Sequence, residues 1–327
     1  MKTIPRLSIA HLPTPVEELT RLSAALCGPR ILVKRDDQTG LAFGGNKTRK
    51  LEFLVAEART QGAKTLITAG AVQSNHCRQT AAAAARFGFD CILVLAGAPP
   101  EKSSANYLLD QLLGVEVVWA DWKTRREDLQ RAFENAQRDG RKPYLVPYGG
   151  SSPTGAAGYA FAIQELIEQD IQPDWIVIAS SSGGTQAGMV AGAKLFGFEG
   201  KILGISIDEP EDVLATRVAG LASEVVALLE EPGTFEKSQI RVNADFCQAG
   251  YGVLTPTEIE AVHLFARNEG LLLDPVYTGR AAGGMIELIR RGFFSPQDLV
   301  LFWHTGGTTA LFAEKYLGIL NFDEMLE

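Results

Sequence analysis

From about residue 47 onward, apolar positions switch between helical and strand spacing in a regular order. Leu51, Leu54, Val55 and Ala58 fall at i, i+3, i+4 and i+7, the stripe of a helix that stops near Gly62. Thr65-Leu66-Ile67-Thr68 reads as a short buried strand, with Gly70–Asn75 as the loop after it. An alanine run at Ala81–Ala85 marks the next helix, and Cys91-Ile92-Leu93-Val94-Leu95 the next strand. The same rhythm predicts helix 103–113, strand 115–120, helix 126–138 and strand 144–147. It continues through a helix near 155–169, strand Trp175-Ile176-Val177-Ile178, a helix from about Gly184, and strand Ile202–Ile207. Thr255-Pro256-Thr257-Glu258 is a helix start, in which Thr255 caps, Pro256 opens the first turn and Glu258 completes a capping box. The last clear strand, Leu299–Trp303, runs into His304-Thr305-Gly306-Gly307. Strands separated by helices imply parallel sheets covered on both faces, an α/β fold.

Length and composition narrow the class. The chain has 327 residues, enough for one large or two medium domains, and its 46% apolar and 21% charged residues are an ordinary globular balance. A formal charge of −8 and the lack of any basic tract argue against nucleic acid as a partner. No apolar run approaches the roughly 20 residues of a membrane helix. The opening Met1-Lys2-Thr3-Ile4-Pro5-Arg6 has no apolar stretch of signal-peptide type. Cys27, Cys77, Cys91 and Cys247 are scattered, without metal-ligand spacing, so a reduced cytoplasmic setting and no metal site are expected.

Four segments carry candidate chemistry. In Gly44-Gly45-Asn46-Lys47, two glycines permit a sharp turn and a lysine opens a helix, where exposed N–H groups favour anions. A lysine held there is suited to a Schiff base with pyridoxal 5′-phosphate, although such a short run is also an ordinary turn before a basic helix start. Gln73-Ser74-Asn75-His76 follows a strand and offers a hydroxyl, an amide and N–H groups to a carboxylate; a plain helix N-cap is the alternative. Ser180-Ser181-Ser182-Gly183-Gly184-Thr185 joins a strand to a helix and has the makings of a phosphate cradle. It is neither a Walker loop nor a dinucleotide fingerprint, which favours a phosphate monoester over ATP or NAD; a plain tight βα turn is the alternative. Asp274-Pro275-Val276-Tyr277-Thr278-Gly279 and His304-Thr305-Gly306-Gly307 each end an apolar stretch and are candidates for the same crevice.

Taken in order, these motifs resemble the D-cysteine desulfhydrase and 1-aminocyclopropane-1-carboxylate deaminase family, over roughly residues 8 to 315. The resemblance implies the tryptophan synthase β-like fold, pyridoxal-phosphate fold type II, with two open parallel-sheet αβα domains. A larger cofactor-binding domain would comprise 1–47 and 161–327, and 48–160 would be a smaller inserted domain. Carried over by position, Lys47 would bind the cofactor covalently and move the Cα proton. Asn46, Asn75, Ser182, Gly183, Gly184, Thr185 and Thr305 would hold the cofactor. Ser74, Asn75, His76, Tyr251 and Tyr277 would face a small amino-acid substrate, with Ser74, Tyr251 and Tyr277 joining Lys47 in catalysis. The family also suggests a homodimer. Arg78, one turn after Ser74, reads as an exposed helical arginine or as help for an anionic side chain.

One position separates the subfamilies. Deaminases have a glutamate after the Asp-Pro-Val-Tyr tyrosine, whereas this chain has Thr278, as the desulfhydrases do, with Thr305 near the ring nitrogen. A hydroxyl leaves that ring less electron-withdrawing than a carboxylate would, which suits β-elimination better than opening a cyclopropane. The expected reaction is D-cysteine to pyruvate, ammonia and sulfide. L-Cysteate sulfo-lyase activity is the alternative, ring-opening deamination a weaker one, and a non-catalytic pyridoxal-phosphate binder the competing class.

Overall fold

The computed structural model describes residues 1–320. The chain begins with β1 (Val16–Glu18), α1 (Thr20–Leu26), β2 (Arg30–Arg35) and α2 (Lys47–Thr60). Next come β3 (Thr65–Ala71), α3 (Asn75–Phe87), β4 (Asp90–Ala96), α4 (Ala105–Leu112), β5 (Glu116–Ala120), α5 (Arg125–Arg138) and β6 (Pro143–Leu145). After them lie α6 (Pro153–Glu168), β7 (Trp175–Ser180), α7 (Gly184–Phe196), β8 (Lys201–Ser206), α8 (Glu211–Leu228) and β9 (Arg241–Asn243). The described chain closes with α9 (Pro256–Glu269), α10 (Thr278–Arg290), β10 (Leu299–His304) and α11 (Glu314–Leu317).

The strands form two sheets. A six-stranded sheet has the order β1-β2-β10-β7-β8-β9, parallel except for the antiparallel β1, and a four-stranded parallel sheet has the order β5-β4-β3-β6. All four strands of the second sheet lie between β2 and β7 in the chain, so it interrupts the first. Central strands are apolar throughout because helices cover both faces: every residue of β7 is buried, and so is most of β10. Helix α6, residues 153–168, packs on α2, α7 and α8 and runs through position 160.

The first 46 residues hold a strand that hydrophobic periodicity does not reveal. β2 pairs with β10 on one side, Val33 opposite Phe302 and Lys34 opposite Trp303. Its Lys34 is fully buried, and its ammonium donates to Thr14 O at 2.8 Å, Glu165 Oε1 at 2.6 Å and Gln169 Oε1 at 2.5 Å. Beside it, Asp36 is buried and pairs with Arg49 of α2, while Tyr159 and Trp303 also donate to its carboxylate. These partners are what make buried charge tolerable, and they tie α2 to the large sheet.

The helix ends follow local chemistry. Ser74 caps α3 by accepting from Cys77 N at 3.2 Å, and Glu258 closes the expected box with Thr255 at the start of α9. Glu258 also forms a buried ion pair with Arg280 of α10 at 2.6 Å, which fixes the two helices to each other.

Candidate active site

The carboxyl ends of β3, β7 and β10 meet the N-termini of α2, α3 and α7 around a solvent-open cleft, the usual place for a ligand in open α/β sheets. Asn46 and Lys47 enter from α2, and Ser74, Asn75 and His76 from α3. Ser182, Gly183 and Thr185 line it from the β7–α7 turn, together with Ser180 and Ser181. Tyr277 and Thr305 complete it from the segments beside α10 and β10. Two residues singled out in the sequence stand slightly apart. Gly184 is buried behind the wall, its N–H donating to Ser151 Oγ at 3.2 Å. Tyr251 lines adjoining clefts and reaches the site through its hydroxyl, 2.9 Å from that of Tyr277.

Two glycine turns are pressed together at the floor. Asn46 N donates to Thr305 O at 2.9 Å, which joins the lysine-bearing turn to the turn after β10. Gly306 has a φ of +81°, and a Cβ there would lie 2.6 Å from Gly45 Cα, so neither turn tolerates a side chain at this contact. The Asn46 amide donates to Thr185 Oγ1 at 3.1 Å and links the same turn to the β7–α7 cradle.

The electrostatics of the cleft favour neutral, reactive groups. Burial lowers the Lys47 pKa to about 8, and no acid among the described residues pairs with its amine. Lys50, one turn along α2, is held well below the usual lysine range by burial and by Lys47; its Nζ donates to Gly149 O at 3.1 Å. Burial, then the two lysines, likewise pushes His76 well down, so its ring is neutral, with Nε2 2.9 Å from Thr68 Oγ1. Burial raises Tyr277 and Tyr251, keeping both hydroxyls protonated.

No carboxylate lines this cleft among the described residues. Thr278 does not enter it: its N and Oγ1 both donate to Asp274 Oδ1 at 2.7 Å, and the side chain is buried in that turn. Thr305 is the threonine at the wall.

Sequence reasoning misses several participants. Tyr148 and Gly149 line the cleft from the loop after β6, where a Gly-Gly pair was the available signal. Lys50 was legible as the residue one helical turn from Lys47 on the same face. Arg78 is neither exposed nor free to meet a substrate. It is fully buried and donates to Gly44 O at 2.9 Å, Thr309 Oγ1 at 2.6 Å and Asn106 Oδ1 at 3.1 Å, because those acceptors surround it in the fold.

The donor set fits pyridoxal phosphate. The α7 N-terminus and its small hydroxyl residues suit a phosphate, and Lys47 offers a largely desolvated amine to an aldehyde. Among the described residues, the buried Ser180 Oγ and His76 Nδ1, on two residues of the wall, have no hydrogen-bond partner.

The comparisons agree with this reading. The model of the pyridoxal-phosphate dependent enzyme family matches residues 7–306, and the chain belongs to that family. Within it, proteins named D-cysteine desulfhydrase from Klebsiella pneumoniae (strain 342) and Salmonella typhi are each 41% identical over 318 residues, covering 94% of this chain and 96% of theirs. A crystal structure titled as the ACC deaminase homologue superposes with a TM-score of 0.89 at 37% identity, covering 97% of both chains. The tryptophan synthase β-like fold read from the motifs is thus the fold of the chain. Among the described residues, no helix is long and apolar enough to cross a membrane.

Proposed function

We propose that this chain is a β-eliminating carbon–sulfur lyase that converts D-cysteine and water to pyruvate, ammonia and hydrogen sulfide. The observation that carries the proposal is a cleft lined by no carboxylate among the described residues, in which Thr305 lines the wall while Thr278 is bound to Asp274. The D-cysteine desulfhydrases at 41% identity support the same reading.

Pyridoxal phosphate, when bound, links to an amine and withdraws electrons from the amino acid's Cα. The residues supply the rest. Gly183, Thr185, Ser182 and Asn46, with Gly184 behind them, hold the phosphate end, and Asn75 and Thr305 hold the ring. The N–H groups of Asn75 and His76 in the first turn of α3 have no intrahelical partner and meet the substrate carboxylate alongside Ser74 Oγ. Lys47 Nζ removes the Cα proton, for which an amine of pKa about 8 is well matched near neutral pH. The Cβ–S bond then breaks with its electron pair on sulfur, the Cα proton held by Lys47 passes to it, and the Tyr277 hydroxyl, steadied by Tyr251, donates a hydrogen bond to the departing sulfur. The released enamine hydrolyses in water to pyruvate and ammonia.

L-Cysteate is the second substrate to consider, on one observation. The adjoining cleft shares Tyr148, Ser181 and Ser182 with the site and is lined by Arg125, Arg126 and Arg217 as well as Asp208 and Glu209; Arg125 is held 5.2 Å above the Trp122 ring and 5.0 Å from that of Tyr148. A guanidinium there suits an anionic side chain. We also take 48–160 as a smaller domain inserted into the larger one of 1–47 and 161–327, in a cytoplasmic homodimer. The test is a pyruvate assay on D-cysteine, L-cysteine, L-cysteate and aminocyclopropane carboxylate in parallel. Pyruvate and sulfide from D-cysteine are expected. Pyruvate from cysteate alone would replace the substrate, and 2-oxobutyrate from the cyclopropane would refute the argument from Thr278 and Thr305.

A further inference from the structure

Asn106, in the first turn of α4, is fully buried and lies outside the cleft wall. Its amide is nonetheless saturated. Oδ1 accepts from Arg78 Nη1 at 3.1 Å and from Thr309 Oγ1 at 2.5 Å. Nδ2 donates to Gln73 O at 2.9 Å and to Asn75 Oδ1 at 2.8 Å. A second clamp holds the backbone in place, because Gln73 Oε1 accepts from Asn106 N at 2.9 Å and Gln73 Nε2 donates to Ser104 O at 3.1 Å.

This arrangement decides which way two amides point. Guanidinium nitrogens only donate, so the oxygen of Asn106 must face Arg78 and its nitrogen must face Asn75. The oxygen of Asn75 is therefore occupied, and its Nδ2 is the end left for the cleft. That nitrogen makes no hydrogen bond among the described residues, and it lies against Gly307, where a Cβ would approach it to 2.5 Å. Arg78 also donates to Gly44 O, in the turn that leads to Lys47, so one junction registers Asn75 against the lysine.

We propose that Asn106 is a positioning residue which locks the Asn75 amide with its N–H₂ toward the cofactor's ring oxygen. The proposal rests on the reading that Asn75 touches the cofactor. Asn106→Asp is the informative change. It is isosteric and keeps the acceptors for Arg78 and Thr309, but it can donate neither to Gln73 O nor to Asn75, whose amide then turns its oxygen to the ring.

The experiment measures binding of pyridoxal phosphate to cofactor-free protein by fluorescence quenching, in wild type, N75A, N106D and the double variant. Each single change is expected to weaken binding about tenfold, the scale of one lost hydrogen bond facing an unpaired acceptor. The double variant is expected to match N75A within about twofold, since Asn106 acts through Asn75. Wild-type affinity in N106D, or losses that multiply in the double variant, would overturn the proposal. Wild-type affinity in N75A would overturn the cofactor contact on which it rests. If N106D does not fold, N106A takes its place in the same cycle, with the same criteria.

Discussion

Replacing Lys47 with methionine should make the cofactor-free protein more stable at neutral pH. Lys47 is half-buried at the start of α2 with no acidic partner among the described residues, and its pKa falls from 10.5 to about 8 because burial strips water from the ammonium. At pH 7 the native state therefore holds a charge in a poorly hydrated cleft, while the unfolded chain gives it to water. The drop corresponds to about 3 kcal/mol, trimmed to about 2–3 kcal/mol by the remaining solvent contact. The penalty is fully present below pH 8 and disappears as pH rises toward 10.5, because the unfolded chain binds more protons across that window. Urea unfolding of wild type and Lys47→Met, both stripped of cofactor, at pH 7 and pH 9.5 provides the assay. The variant should lead by about 2–3 kcal/mol at pH 7 and by less at pH 9.5. Equal stability at pH 7, or a difference that does not change with pH, would refute the reasoning. The functional counterpart is large. At pH 7 about one amine in ten is unprotonated at a pKa of 8, against about one in 3,000 at 10.5, so burial raises the share of free amine.

Three further outcomes follow from other parts of the site. Gly184→Ala would place a Cβ 2.4 Å from Ser151 Oγ and 2.9 Å from Ser151 Cα; pyridoxal-phosphate affinity should fall more than about tenfold, while urea melts show a loss of about 1–3 kcal/mol. Arg49→Met leaves the buried Asp36 carboxylate without its ion pair. Stability at pH 7 should drop by about 3–5 kcal/mol, and adding Asp36→Asn should recover part of it. Tyr277→Phe removes the hydroxyl bonded to Tyr251, so kcat for D-cysteine should fall by about 10²-fold with cofactor affinity unchanged.

The fold was legible wherever strands with uncharged centres alternate with helices of clear apolar stripe, as from α2 to β8. β2 was not, because Arg30-Ile31-Leu32-Val33-Lys34-Arg35 carries the charges of a surface segment, and Lys34 is buried only because Glu165 and Gln169 arrive from α6. The same long-range pairing hid Arg78, whose acceptors at Gly44, Asn106 and Thr309 are far away in sequence. Site residues were easier to find than their supports. Lys47, Ser74, Asn75, Thr185, Tyr277 and Thr305 stand in motifs whose local chemistry is visible, and the fold brings all of them to one cleft. Asn106 and Ser151 act on those motifs from outside, and nothing in their immediate sequence announces it.

Lys47 as the residue that carries the cofactor is best tested by reduction with borohydride followed by peptide mapping, on wild type and Lys47→Ala. The account predicts one pyridoxyl-modified peptide, containing Lys47 in the wild type and absent from the variant. Modification at Lys50 in the wild-type protein, or a stable adduct that persists in Lys47→Ala, would contradict it.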